Sequence, residues 1–357
     1  MNDIKKILLF SLLFFIGINY VYASADTAYS YVLMDEVTGR VLKGKNIDSP
    51  KLIASITKIM TCILAIEANK LDDVVVVNES VLSSYGSGIY ISVGEEIKLI
   101  DLLYGLMLRS GNDAALMIAD YVGGDVDNFV LMMNKKAKEV GMKNTKFVNP
   151  SGLDKNGIGN YSTSYDMALL TRYAMQNDIY REIVKTKSYV AKSNLKTYVW
   201  KNKNKLLNYK YITGGKTGFT ETARRTLVST ATYDGMNFIV VTIRDSDDWN
   251  THLDLYESAF KNYKNYLVLS KKNYTVLEDK YYDNLYIKND LYIPLTKSEA
   301  TSLISHVKLE RIRNYDNTLV GHNYIYLRDK KIYDMPVYAK KNENKVTFWS
   351  KIKGLFG

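Results

Sequence analysis

The sequence predicts an α+β protein, in which an antiparallel sheet with a helical cluster packed on it is followed by a small all-β domain and a C-terminal amphipathic helix. Three observations carry that prediction. Alternating hairpin patterns lie at both ends of a strongly helical middle. From about Tyr266 the pattern changes to short alternating strands, and residues 343–357 place apolar side chains at helical spacing opposite lysines.

The first 25 residues stand apart from the fold. Lys5 and Lys6 precede an apolar run over 7–18, and Ala23-Ser24-Ala25 supplies the small residues that a signal peptidase accepts. That run is well short of the roughly 20 residues that span a bilayer, which disfavours the alternative of an uncleaved anchor. Residues 1–25 are therefore read as a signal peptide, and the mature chain is expected to begin at Asp26 and to work outside the cytoplasmic membrane.

Residues 26–263 form the first predicted domain. An opening hairpin pairs 29–35 with 40–43 around Glu36-Val37-Thr38-Gly39. After Pro50 an apolar helical stretch runs over 54–67, and helix is also favoured over 100–121, 127–140, 164–176 and 252–263. A second hairpin joins 226–232 to 236–243 through Tyr233-Asp234-Gly235. Residues 264–342 are predicted as a β domain with strands over 281–287, 291–295, 306–312, 321–327 and 331–337. In the tail over 343–357, Phe348, Trp349, Ile352, Leu355 and Phe356 lie opposite Lys345, Lys351 and Lys353. The terminal position and the tryptophan, which prefers headgroup depth, predict a helix lying on an anionic membrane surface. The competing reading is a helix packed on its own protein.

Composition narrows the chemistry. With 46% hydrophobic residues the chain can bury a full core, and at +10 its expected partners outside the membrane are anionic lipid and cell-wall polymer, with no nucleic acid. The single cysteine, Cys62, rules out an internal disulfide and sits in an apolar stretch, as a buried, inert thiol does. The only histidines are His252, His306 and His322, so serine chemistry in the first two hundred residues needs another base, and a histidine-based metal site lacks ligands. Lysine is the obvious substitute. No metal or cofactor is expected.

Three short motifs follow in order. In Ser55-Ile56-Thr57-Lys58 the spacing of three puts hydroxyl and amine on one helical face, and burial near a helix N-terminus lowers a lysine pKa enough for it to act as a base. Taken alone, this spacing also fits an ordinary exposed first turn. Ser110-Gly111-Asn112 falls between apolar helical runs, where it either projects a hydroxyl and an amide into a cleft or is simply a turn. Lys216-Thr217-Gly218 leads towards the strand around Thr226; lysine and threonine there suit a carboxylate, and glycine lets a ligand approach a strand edge. A phosphate-binding loop would need glycine at position 210, which is Lys210.

Together the three motifs resemble the serine–lysine signature of penicillin-binding proteins and class A β-lactamases. Glycine in the middle of the second motif, and the surrounding Ile53-Ala54-Ser55-Ile56-Thr57-Lys58, Asn149-Pro150-Ser151-Gly152-Leu153-Asp154 and Gly214-Gly215-Lys216-Thr217-Gly218-Phe219-Thr220, are similar to the low-molecular-weight D-alanyl-D-alanine carboxypeptidases. Trp200-Lys201-Asn202-Lys203-Asn204-Lys205, Arg225-Thr226-Leu227 and Asp248-Trp249-Asn250 resemble the sporulation-specific members that trim spore cortex.

The resemblance implies a β-lactamase/DD-peptidase-like fold and a set of roles. Lys58 takes the Ser55 proton, Ser55 attacks the penultimate D-alanine carbonyl of a stem pentapeptide, and Ser110 protonates the leaving amine. Asn112 holds the peptide amide, Lys216 and Thr217 face the terminal carboxylate beside Gly218, and the backbone N–H groups of Ser55 and Phe219 hold the oxyanion. β-Lactams are implied as covalent inhibitors. Arg225 or Arg244 is a further candidate for the carboxylate. A class A β-lactamase would need a Glu-x-x-Leu-Asn loop, and none occurs between Asn112 and Gly215. A non-catalytic penicilloyl sensor or wall-binding module would carry a spanning signalling segment, which is not found after residue 25.

Overall fold

The computed structural model describes residues 27–276 and 279–341, so the predicted signal peptide and the predicted tail helix over 343–357 lie outside the described residues. The molecule is organised by a five-stranded antiparallel sheet. Its strands are β1 (Ser30–Asp35), β2 (Val41–Lys45), β3 (Ile212–Thr220), β4 (Arg224–Tyr233) and β5 (Met236–Ile243), in the order β2-β1-β5-β4-β3. The two predicted hairpins are its β1–β2 and β4–β5 pairs. Asp234 and Gly235 turn the second with φ of 49° and 71°, both in the left-handed region that a two-residue hairpin turn requires.

Strand alternation sends side chains to two different cores. Val32, Met34, Ile239 and Val241 join the larger cluster, formed with the middle helices, whereas Tyr31, Leu33, Phe238 and Val240 pack with Leu253 and Tyr256. The helices of the first layer are α1 (Lys58–Glu67), α2 (Leu99–Tyr104), α3 (Asn112–Gly123), α4 (Val126–Val140), α5 (Ser164–Ala174) and α6 (Asp178–Lys185); α7 (Asp248–Asn262) covers the other face. The sheet is thus sandwiched between helices, with α1 as an almost wholly buried central element.

Several boundaries differ from the sequence expectation for physical reasons. The stretch over 54–67 opens with a 3₁₀ turn at Ala54–Thr57 before α1, after Ala54 takes a left-handed φ of 49°. The helix expected over 100–121 is interrupted: a π-helical segment, Gly105–Arg109, ends at Ser110, whose φ of 64° stops the helix before α3 restarts. Lys216-Thr217-Gly218 leads on to the expected strand around Thr226, β4, but itself lies within a strand that the sequence does not announce, β3, whose glycines and threonines dilute the apolar alternation. Helix α6 and the hairpin of Ser188–Lys192 with Thr197–Lys201 lie where the residue pattern predicts no element.

Beyond α7 the chain continues as β6 (Lys264–Leu269), β7 (Asn284–Tyr286), β8 (Leu291–Leu295), β9 (Leu303–Leu309), β10 (Thr318–Leu327) and β11 (Lys330–Lys340). β6 pairs with β8, and the others form a four-stranded sheet in the order β7-β11-β10-β9 around a separate apolar cluster. The strand expected over 281–287 shrinks to β7, and that over 306–312 shifts back to β9. Arg40 ties this region to the catalytic sheet, donating to Glu299 at 2.5 Å and to the Pro294 carbonyl at 2.6 Å.

Candidate active site

Ser55 owes its position to contacts on either side. The Thr226 hydroxyl on β4 donates to the Ile53 carbonyl at 3.0 Å, fixing the entry to the 3₁₀ turn on the sheet. Behind it, Gly152 approaches so closely that an added Cβ would lie 1.9 Å from the Ala54 carbonyl oxygen, so the loop over 149–154 needs glycine there. In a 3₁₀ turn residues three apart eclipse, and Lys58 Nζ lies 3.1 Å from Ser55 Oγ.

Lys58 is fully buried, and its Nζ donates to Asn112 Oδ1 at 2.7 Å and to the Ser151 carbonyl at 2.5 Å. Burial, reinforced by the charges of Lys216 and Lys203, holds its pKa well below the usual lysine range. A neutral amine has two N–H donors and one lone pair. The two carbonyl oxygens take the donors, which leaves the lone pair for the Ser55 hydroxyl. The geometry therefore suits a lysine that receives a proton from serine.

The second motif sits where the helix breaks. Ser110 is buried in its left-handed conformation, and Lys216 Nζ lies 3.1 Å from its hydroxyl and donates to the Thr217 carbonyl at 2.8 Å. Burial and the Lys203 charge push Lys216 down to about 7. Asn112 is fixed at both ends, since its amide also donates to the Tyr85 carbonyl at 2.6 Å. Next to it, buried Asp113 accepts the backbone N–H groups of Ile89 and Tyr90 and so holds the 85–90 segment over the site.

β3 supplies the opposite wall. Ser55, Ser110, Thr217, Gly218 and Phe219 line one cavity of about 270 Å³. Gly218 backs directly onto the nucleophile's turn: a Cβ there would lie 3.0 Å from the backbone nitrogens of Ser55 and Ile56. Arg225 pairs with Phe219 across β3–β4 and lines the same cavity, bonded to Asp248 and lying over the Trp249 ring at 5.3 Å. Arg244 is exposed, donates to the Thr222 carbonyl at 3.3 Å and does not line it.

All eight residues singled out from the sequence thus lie in one constellation: Ser55, Lys58, Ser110, Asn112, Lys216, Thr217, Gly218 and Phe219. Sequence reasoning did not assign Ser151, Asp113, Lys203 or Ser87; Lys203 reaches Ser87 Oγ at 3.1 Å on the cavity wall. Cys62 is buried and its thiol pKa is raised by burial alone. His252 is buried and pushed down to about 3, a neutral ring bonded to Ser229 and Thr242 in the second core.

Residues 19–247 match the peptidase S11 family, described as D-alanyl-D-alanine carboxypeptidase. D-alanyl-D-alanine carboxypeptidase DacF of Bacillus subtilis is 33% identical over 93% of this chain and 90% of its own length. DacC of Escherichia coli is 34% identical over 64% of this chain and 59% of its own. Among solved structures, penicillin-binding protein 5 from Haemophilus influenzae superposes with a TM-score of 0.73 at 26% identity, covering 89% of this chain and 98% of that one.

Proposed function

The chain belongs to the D-alanyl-D-alanine carboxypeptidase family and is a serine-type D-Ala-D-Ala carboxypeptidase; from that premise we propose that it removes the terminal D-alanine from peptidoglycan stem pentapeptides through a Ser55 acyl-enzyme. The observation that carries the assignment of residues is the buried Lys58 amine, 3.1 Å from Ser55 Oγ with its donors already taken by two carbonyl oxygens. Lys58 accepts the Ser55 proton as Oγ adds to the penultimate D-alanine carbonyl. The oxyanion is held by the backbone N–H groups of Ser55 and Phe219, a donor type worth ~3 kcal/mol each. Ser110, beside Lys216, delivers a proton to the departing D-alanine amine. Asn112 Oδ1 keeps a second lone pair for the substrate's amide N–H. Water then hydrolyses the ester.

Lys216 and Thr217 hold the terminal carboxylate, and Arg225 stands behind them, engaged by Asp248. Amidating that carboxylate should sharply lower turnover by wild type with little further loss in Lys216→Ala; equal sensitivity in both proteins would move the carboxylate to Arg225. β-Lactams acylate the same serine and leave slowly. Among the described residues no carboxylate bonds to Ser55 or Lys58, and Asp113 is spent on backbone N–H groups.

The finer role is trimming of spore-cortex peptidoglycan by an exported enzyme held on the outer face of the membrane by its tail. Its support is the resemblance to sporulation-specific members, whose matching residues Arg225, Asp248 and Trp249 line the cavity here. Incubating the protein with purified muropeptides and identifying the product tests the activity: free D-alanine and a tetrapeptide are expected, and cleavage of a cross-link alone would assign an endopeptidase. Cortex muropeptides unchanged in a strain lacking the enzyme would remove the sporulation role.

A further inference from the structure

A second cavity, of about 700 Å³, lies where the β4–β5 turn meets the C-terminal β region. Its size and its position between two packed units are those of ligand sites. One part of its wall is apolar, with Tyr292, Tyr333, Met335 and Pro336; Tyr292 is 44% exposed. Apart from Val37 and Leu291 the rest is mostly polar but not basic, in a chain of net charge +10. Its carboxylates are Asp234 and Asp290, and its one ammonium, Lys288, lies 4.2 Å over the Tyr338 ring.

Three of the polar groups are held by one internal bond each and keep a free valence. Asn237 Oδ1 accepts the Thr232 hydroxyl at 2.6 Å, which leaves its amide N–H groups. Asn265 donates to the Gly235 carbonyl at 3.0 Å, which leaves its Oδ1. Asp290 accepts the Lys271 N–H at 2.7 Å through one oxygen, which leaves the other. Fixed donors and acceptors therefore face an aromatic wall, with no excess of positive charge to select an anion. A neutral pyranose ring is complementary to that pattern: its C–H face stacks on tyrosine, and its hydroxyl and acetamido groups exchange hydrogen bonds with amides and carboxylates.

We propose that this cleft binds a segment of a neutral amino-sugar chain, the glycan strand from which stem peptides branch; this rests on the reading that the substrate is peptidoglycan. The turn at Asp234 and Gly235 closes the end of β4 remote from Arg225, roughly 30 Å along the strand at 3.4 Å per residue. Glycan held here tethers the enzyme to polymer and raises the effective concentration of stem peptides at Ser55.

The test titrates the full chain with the β-1,4-linked hexasaccharide of N-acetylglucosamine, followed by calorimetry or NMR. Binding in the millimolar range or tighter is expected, weakened about tenfold or more by Tyr292→Ala and by Asn237→Ala, and untouched by Ser55→Ala. Tyr292→Ala should cleave a soluble D-Ala-D-Ala peptide at the wild-type rate but release D-alanine from polymeric peptidoglycan several-fold more slowly. No binding at millimolar sugar, or binding indifferent to Tyr292→Ala, overturns the proposal. So does loss, through the same substitution, of binding by a sugar-free stem peptide, because the cleft would then be a peptide site. Failure on the soluble peptide by wild type would instead refute the peptidase reading and leave the sugar titration standing.

Discussion

Gly218 and Ser55 stand so close that one added carbon would close the space between them: a Cβ on Gly218 would lie 3.0 Å from the Ser55 backbone nitrogen and 2.4 Å from Thr226 Oγ1. In the proposed mechanism the substrate's carbonyl oxygen reaches the Ser55 N–H beside this contact. The Thr226 hydroxyl cannot retreat freely, since it holds the Ile53 carbonyl.

Gly218→Ala should therefore lower the acylation rate by ~10²–10³-fold, the loss typical of a removed oxyanion donor, while the protein remains folded. Stopped-flow acylation by a chromogenic β-lactam measures it. An unchanged rate would mean that the oxyanion lies elsewhere.

Lys58→Ala removes the amine but leaves Asn112 Oδ1 and the Ser151 carbonyl facing a cavity. Acylation should slow by ~10²–10⁴-fold, the usual share of general-base catalysis, and the melting temperature should fall, because two buried acceptors lose their partner. Near wild-type acylation at neutral pH would exclude Lys58 as the base.

The two lysines predict the pH profile. Lys58 works without its proton, so kcat/KM rises with pH through its lowered pKa. Lys216 works with its proton against a carboxylate, so activity falls again as pH rises through about 7. The profile is a bell, and Lys216→Arg, which stays charged, should move the alkaline limb upward. An alkaline limb that does not move would assign it to another group.

Linkage gives the same lysine a stability signature. Its folded pKa lies below the ordinary lysine value of 10.5, so the unfolded chain binds the extra proton between about 7 and 10.5. The contribution of Lys216 to stability thus rises with pH across that window and is lost as pH falls through it. Denaturant midpoints of wild type and Lys216→Met should diverge in that sense; parallel curves would mean that Lys216 is charged in the folded protein.

How much of this was legible in the sequence depended on the element. The β1–β2 and β4–β5 hairpins announce themselves by period-two alternation around turn residues, and α1, α4 and α5 by apolar spacing. The eight site residues were legible because three short motifs occur together, although each alone is weak. What the sequence hid is backbone geometry: Ala54 and Ser110 adopt left-handed φ without being glycine or asparagine, and tertiary contacts hold them there. β3 was hidden because Gly214, Gly215 and Gly218 are chosen for close approach and not for strand propensity. Ser151 contributes only a carbonyl oxygen, a role that no side-chain pattern encodes.

The tail over 343–357 was read from its pattern alone. Deleting it should release the protein from anionic vesicles while sparing activity on soluble peptide, and binding should weaken with salt. Co-sedimentation that survives the deletion, or unfolding of the truncated protein, would assign those residues to the fold.

The central claim is that Ser55 is the nucleophile, and covalent labelling by a fluorescent penicillin tests it most directly. Wild type should retain the label through denaturing electrophoresis, and intact mass should rise by one acyl adduct, mapped by peptide sequencing to Ser55. Ser55→Ala should carry no label while melting at a similar temperature, since the change removes one hydroxyl and leaves the buried Lys58 network in place. A folded Ser55→Ala protein that still labels as wild type does would contradict the account and place the reacting group elsewhere.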